Sequence, residues 1–329
     1  MRRFAFPLFL TALALALTGC GYPSLLVTPV ANTSNLEEVE VQEGKGFTPA
    51  KIAIVDVDGM LMNARTSGWL QMGENKLSLF TQQMQMCERD PTVRAVVLRI
   101  NSPGGTVTCS DTMYDTVKRF KAETKKPVVA SAQEVCASGA YYLACSSDVI
   151  VANPTSVVGS IGVIMQTFEV SSAMAKLGIK SESITSGPLK DMGSPFKPLD
   201  PSARAVMQGM INDYYGRFVG VVKENRPRLS SEDNVKIATD GRVFSGEQAL
   251  AMGLVDKVGR LEDAIDVAKQ MAHAPDAKVV MYKRPFGYSG SIYANQTAPP
   301  PRANSLSLEL PEEASGILLP RGFYYLWQP

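Results

Sequence analysis

Residues 137–147, ASGAYYLACSS, set Ser138 between Ala137 and Gly139, where the apolar segment PVVASA gives way to a stretch of helical character. A serine with small neighbours on a strand-to-helix turn serves as a helix cap or as a nucleophile, because both uses need a reachable hydroxyl and an approachable backbone. As a nucleophile it requires a base and donors for a developing oxyanion. The turn NSPGG, residues 101–105, lies one strand earlier and offers glycine amides that can approach a substrate carbonyl, and the Gly139 amide at a helix start is a second donor. The single histidine, His273, sits in MAHAPDAK, far in sequence from every glycine-rich turn, and reads as a solvated loop. The base must then be another residue, and lysine is the usual alternative. A lysine at its ordinary pKa near 10.4 is neutral in roughly four molecules per ten thousand at pH 7, so a site that uses one must desolvate it. Lys190, in TSGPLKDMGSPFKPLD, occupies a loop of small and kinked residues after the segment SESIT, which reads as a strand. Its competing reading is a surface lysine paired with Asp191. Ser102, Ser110, Ser146 and Ser147 are rival hydroxyls with a less confined frame, and Ser160 in GSIG is a turn residue or a group that orients the lysine.

The elements that must position these residues alternate between strand and helix. KIAIVDVDG (51–59), RAVVLRI (94–100), PVVASA (127–132) and DVIVAN (148–153) are apolar runs of the kind buried in a parallel sheet, and SVVGSIGVI (156–164) continues them. Helical spacing appears over 76–88 and near 109–124, over about 200–225 with Met207, Met210, Ile211, Tyr214, Phe218 and Val221 on one face, and from roughly 246 to 252 before Gly253. A short strand LVDKVG and a final helix follow. The pattern predicts an α/β fold with a mostly parallel sheet, repeated strand–helix units and a C-terminal helical part. Tyr141 and Tyr142 read as packing residues. Apolar residues around a cleft at this turn would suit hydrophobic peptides added along a strand edge.

Four segments, INSPGG, ASGAYYLACSSDVIVANPTSVVGSIGVI, SGPLKDMGSPFKPLD and DGRVFSGEQALAMGLVDKVG, taken in this order, resemble the signal peptide peptidase A family of serine proteases over about residues 50–270. The resemblance implies a Clp protease/crotonase-like fold. It implies Ser138 as nucleophile, Lys190 as general base, and the amides of Gly105 and Gly139 as oxyanion donors, with Gly104 as the alternative for the first. Ala140 stands where the family's ASGGYY motif has a second glycine. The resemblance further implies peptide substrates such as signal-peptide remnants, no cofactor, and a membrane-associated homo-oligomeric ring such as an octamer. In a single-copy chain like this one, Ser138 of one subunit is expected to meet Lys190 of the next.

The ends of the chain carry a different message. MRR followed by FAFPLFLTALALAL is an export signal too short to span a bilayer comfortably, and LTGC resembles the lipobox of bacterial lipoproteins. Residues 1–19 are therefore expected to be removed, Cys20 to be lipidated, and 20–48 to tether the lipid to a peptidase domain at 49–275. Residues 276–329 read as a Pro-rich linker ending in the aromatic GFYYLWQP, which is expected to pack on something. The expected location is a bacterial membrane surface facing the periplasm or cell exterior, with Gly21 in the pattern that sorts to the outer membrane. A net charge of +1 gives no footprint for nucleic acid. Beyond Cys20 the cysteines at 87, 109, 136 and 145 form no CxxC pair, so no metal site is expected and both disulfides and buried thiols remain open. Two rival functions are carried forward: acyl-coenzyme A chemistry on the same fold, which export disfavours, and an inactive, peptide-binding envelope lipoprotein.

Overall fold

The computed structural model describes residues 35–46, 50–68, 71–229, 231–284, 292 and 322–328. Export signal, lipobox and most of the tether lie outside the described residues. In chain order the elements are β1 (Glu37–Gln42), β2 (Lys51–Asp58), β3 (Arg65–Gly68), β4 (Gln71–Asn75), α1 (Lys76–Arg89), β5 (Val93–Ser102), β6 (Gly104–Thr106), α2 (Val107–Thr124), β7 (Val128–Ala137), α3 (Gly139–Ala144), β8 (Val149–Ala152), β9 (Val157–Gly159), α4 (Ser171–Lys176), α5 (Pro201–Asn225), α6 (Glu232–Ala238), β10 (Val243–Ser245), α7 (Gly246–Met252), β11 (Lys257–Val258), α8 (Leu261–Met271), β12 (Lys278–Lys283) and β13 (Tyr324–Leu326).

The main sheet runs β1-β12-β2-β5-β7-β8-β11, with β9 beside β7 and β10 beside β9. Every pairing from β12 to β11 is parallel; only the margins, β1 on β12 and β10 on β9, are antiparallel. This is the expected α/β fold. The central strands have apolar residues pointing both ways because both faces are covered. Ile52, Ile54, Ala95, Val97, Val129 and Val151 pack under Leu261, Ala264, Ile265 and Ala268 of α8. Ala53, Val55, Val96, Leu98 and Ala130 form the other core with Phe80 and Met84 of α1, Met113, Val117 and Phe120 of α2, and Phe218 and Val222 of α5.

Helix ends follow their sequence signals. Thr106 caps α2 and Ser245 forms a capping box with Gln248 on α7, which stops at Gly253 in the left-handed region (φ 87°). At the end of α1, the Lys126 amine donates to the carbonyls of Cys87 (2.7 Å) and Asp90 (2.8 Å), a cationic cap placed there from another strand–helix unit.

Three expectations need correction. The body is wider than residues 49–275: β12 is an internal strand between β1 and β2, and β1, inside the expected tether, pairs with it from Glu37↔Lys283 to Gln42↔Val279. SESIT is not a strand; residues 181–185 are exposed and have no neighbouring strand to satisfy their backbone groups. LVDKVG contributes only Lys257 and Val258 to the sheet. The cysteine question resolves toward thiols: Cys87, Cys109, Cys136 and Cys145 are all free and buried. Burial pushes the thiols of Cys87, Cys109 and Cys145 up to about 12.

Candidate active site

β7 delivers Ser138 at the carboxyl end of the parallel sheet, where open α/β sheets place their sites. The residue stands at the cap position of α3, yet its hydroxyl makes no capping hydrogen bond. Its backbone lies at φ 54° and ψ −117°, a conformation disfavoured for any side chain with a Cβ. Two main-chain bonds hold it there: the Ser138 amide donates to the Gly159 carbonyl (2.7 Å), and its own carbonyl accepts from Tyr142 (2.9 Å). Ser160, next to Gly159, also has positive φ and is fixed by its amide donating to the Arg242 carbonyl (2.8 Å). The outcome is a buried hydroxyl with no hydrogen-bond partner. Strain together with an unsatisfied polar atom makes Ser138 a candidate for chemistry.

The rival serines are occupied or set differently. Ser102 donates to the Gly59 carbonyl (2.6 Å), Ser110 to Thr106 (3.0 Å) and Ser146 to Leu143 (2.6 Å). Ser147 also has an unpartnered hydroxyl, but it follows α3 without the positive φ of Ser138.

β6 explains why two glycines follow Pro103. Leu61 lies along one edge of this strand: its amide donates to the Gly104 carbonyl (2.8 Å) and its carbonyl accepts from Thr106 (2.9 Å). A Cβ on Gly105 would fall 1.9 Å from the Leu61 carbonyl oxygen, and one on Gly104 would fall 2.6 Å from the Gly139 amide nitrogen. The Gly104 amide is taken by the Ser102 hydroxyl (3.1 Å), which removes it as the alternative donor. Since Gly104 and Thr106 face Leu61, Gly105 directs its amide to the opposite edge, as alternate residues of a strand do. Gly139 begins α3, where a first-turn amide has no partner within the helix. A Cβ there would strike the Ser110 hydroxyl at 2.2 Å. The glycines at 104, 105 and 139 are thus required by contact, and the amides of 105 and 139 border the Ser138 turn.

Lys190 is not brought to this turn within the chain. It sits on an exposed loop, with its amide bonded to Gly187 (3.1 Å), and among the described residues its amine has no hydrogen bond or ion pair. The reading that pairs it with Asp191 fails, because that carboxylate accepts instead from Lys197 (2.5 Å). His273 lies beside Ala50, Pro91 and Thr92, which precede β2 and β5, and beside Arg94 at the start of β5, so it is at the end of the sheet opposite Ser138.

Sequence reasoning missed what pins the turn: Leu61, the Ser102 hydroxyl and the Arg242 carbonyl. Only Ser102 carried a local signal, a hydroxyl two residues before the amide it accepts from.

Comparison with known proteins fits this geometry. The family model for peptidase family S49 matches residues 120–274, and that for Clp protease matches 53–157. A protein named as a signal peptide peptidase in Enterococcus faecium is 33% identical over 260 residues, covering 77% of this chain and 73% of its own length. The chain belongs to the signal peptide peptidase A family, peptidase family S49. A protease of Methanocaldococcus jannaschii is 43% identical over 195 residues, 59% of this chain and 61% of that protein. Protease 4 of Salmonella typhi is 35% identical over 225 residues, 68% of this chain but 35% of its own length. The S49 chain described here therefore spans less than two thirds of several relatives it matches. No helix among the described residues is long and apolar enough to cross a membrane.

Proposed function

We propose that this S49 chain is a serine endopeptidase that uses Ser138 and Lys190, contributed by neighbouring copies, to degrade apolar peptides such as signal-peptide remnants at a membrane surface of the cell envelope. The observation that carries the proposal is the strained Ser138 turn, with its buried, unpartnered hydroxyl close to the glycines of β6 and to Gly139. A lysine on the loop at 187–197 has no partner of its own, and the loop belongs to a segment with many exposed apolar side chains, including Leu177, Ile179, Ile184 and Phe196. Burial against a second copy would cover these side chains and desolvate the amine, the condition under which lysine acts as a base.

In the proposed reaction the Ser138 Oγ attacks the scissile carbonyl carbon while its proton passes to the Lys190 amine. The carbonyl oxygen, now an oxyanion, accepts from the amides of Gly105 and Gly139. Collapse of the intermediate breaks the C–N bond, and the departing amine takes the proton back from Lys190. Water then hydrolyses the serine ester, again through Lys190, and frees the hydroxyl. The lipid at Cys20 would hold a ring of such subunits, octameric or of another size, at the membrane, outer or inner.

The test uses residues 35–329 unchanged, as Ser138→Ala and as Lys190→Ala, each measured for assembly and for cleavage of an apolar fluorogenic peptide. Each variant is expected to assemble and to lose at least about 10³-fold in kcat/KM. Co-assembled mixtures of the two variants are expected to regain activity, because some junctions then pair an intact serine with an intact lysine. Full activity in Ser138→Ala would sink the mechanism, and inactive mixtures would confine the pair to one chain.

A further inference from the structure

The two adjacent tyrosines after Ser138 end in hydrogen bonds as well as in packing. Tyr141 and Tyr142 lie on α3, the six-residue helix that begins directly after the serine, and both side chains are fully buried. The Tyr141 hydroxyl donates to the Leu254 carbonyl (2.7 Å), just beyond the end of α7. The Tyr142 hydroxyl donates to the Asp111 carboxylate on α2 (2.6 Å). A helix this short has too few bonds of its own to fix its axis, so these two hydroxyls hold it from two directions.

The Asp111 side joins three elements at one oxygen. Oδ1 of Asp111, which accepts from Tyr142, also accepts from the Arg217 guanidinium of α5 through Nε (2.9 Å) and Nη2 (2.7 Å). The rings of Tyr114 and Phe218 meet Tyr142 edge-on with centroids 5.1 Å apart and fix the direction of its hydroxyl. Both ends of the link reach the frame of the site. The Tyr142 amide donates to the Ser138 carbonyl (2.9 Å), one of the two bonds that hold the strained turn. Ser110, the neighbour of Asp111, sets how closely α2 comes to Gly139, where a Cβ would fall 2.2 Å from its hydroxyl. In the chain, α2 follows the glycine strand β6, and α5 follows the segment that carries Lys190. A separate ion pair, Lys118 with Glu224 (3.4 Å), already braces α2 to α5 without touching α3.

We infer that Asp111 and Arg217 are positioning residues for the Ser138 nucleophile and act through the Tyr142 hydroxyl: they set α3 against α2 and α5, and with it the direction of the Ser138 Oγ relative to the Gly139 amide. The bearing on catalysis rests on reading Ser138 as the peptidase nucleophile. A nucleophile turned slightly out of line loses rate while substrate binding is kept.

The test compares the full chain with Tyr142→Phe, Asp111→Asn, Arg217→Gln and Arg217→Lys, and with Lys118→Gln, which breaks only the neighbouring brace. Two quantities are measured: kcat and KM on an apolar fluorogenic peptide, and amide hydrogen exchange over residues 137–147. Tyr142→Phe and Asp111→Asn are each expected to lower kcat at least about tenfold with KM within about twofold. Exchange over 137–147 is expected to speed at least about tenfold in both, while that over 94–100 stays unchanged. Their melting temperatures should move by less than about 4 °C, because the ring is kept in the first and a partly solvated side chain is changed in the second. Arg217→Gln is expected to lower kcat about threefold, Arg217→Lys to restore most of that loss, and Lys118→Gln to leave both quantities unchanged. Unchanged kcat and unchanged exchange in Tyr142→Phe and Asp111→Asn overturn the inference, as does an equal fall in kcat for Lys118→Gln. Loss of a cooperative thermal transition in both Tyr142→Phe and Asp111→Asn also overturns it, since the contact would then hold the whole fold and not one turn. Exchange is read without substrate, so the two readings separate: faster exchange in this pattern, in a chain that cleaves no peptide even when unchanged, would remove the peptidase reading and leave the hold on α3 standing.

Discussion

The strand, turn and helix around Ser138 bury nearly every side chain they carry, whereas residues 165–200 hold Phe168, Leu177, Ile179, Ile184 and Phe196 out in solvent. The first region is fixed by contacts arriving from several parts of the chain: Leu61, Gly159, Arg242 and the tail strand all reach it. The second makes mainly local hydrogen bonds, such as Val170 to Pro195 (2.7 Å) and Met192 to Leu189 (3.2 Å), and its one helix, α4, buries no residue. A hydroxyl in a strained backbone needs a surround that over-determines it, and only a packed core supplies that. On the reading proposed here, the exposed apolar side chains of the second region are covered by a second copy. The nucleophile is then preformed in the monomer and the base arrives with assembly, so folding and activation are separate events.

The comparison is broken hardest by attacking the core side. Arg226, at the end of α5 and almost wholly buried, is gripped by both oxygens of Asp256 (2.8 and 2.7 Å), and Asp256 also accepts the Ile150 amide (2.8 Å). Asp256→Ala strands a buried guanidinium and a strand amide together. It is expected to cost about 3–5 kcal/mol in urea unfolding, and to lower activity only through the fraction of chains unfolded. A loss below about 1 kcal/mol would mean that this pair does not hold the core side.

On residues 165–200 the same kind of experiment should give the opposite result. Leu177→Ser with Ile184→Ser changes two exposed side chains, so the unfolding free energy of the single chain should move by less than about 0.5 kcal/mol. Assembly should nevertheless weaken, seen as a lower mass by sedimentation and as activity that falls on dilution faster than protein concentration. Unchanged mass and activity would show that this surface is not covered by a second copy.

The smallest effect concerns acid. Burial pulls the Asp90 carboxyl upward, but hydrogen bonds from Thr92 and Lys51, with the Lys51 charge, outweigh it and hold the group well below the usual carboxylate range. A carboxylate depressed on folding contributes stability above its unfolded value and loses it as pH falls toward the folded one. The chain should therefore lose stability progressively below about pH 4, and Asp90→Asn should flatten that part of the profile while costing stability at neutral pH. Parallel pH profiles for the two chains would remove Asp90 from the account.

How much of this was legible in the sequence follows from how local each signal is. The central strands could be read because a run such as RAVVLRI is apolar whichever face it turns, and the Ser138 turn because small residues crowd at one point. β1 and β12 were not legible as sheet, since EEVEVQ is half charged and its partner lies more than two hundred residues away. SESIT shows the converse: strand composition makes no strand without a neighbour to bond. At the site, Ser138, Lys190 and the glycines were legible as residue types. The idle state of the Ser138 hydroxyl and the solvation of Lys190 depend on tertiary contacts, which no local pattern encodes. The aromatic ending was expected to pack on something, but its seat could not be read, because its strand pairing and the ring pocket that takes Tyr325 are built from residues distant in sequence.

The four buried thiols have a practical and cellular consequence. None is bridged, and burial pushes the thiols of Cys87, Cys109 and Cys145 up, which disfavours the reactive thiolate. The body therefore owes nothing to an oxidant: it can reach the same fold in a reducing cytosol as in an oxidising envelope, and its melting temperature should be indifferent to dithiothreitol. At the envelope location proposed above, such a chain needs no disulfide machinery, and its quality there is decided by packing, not by redox chemistry.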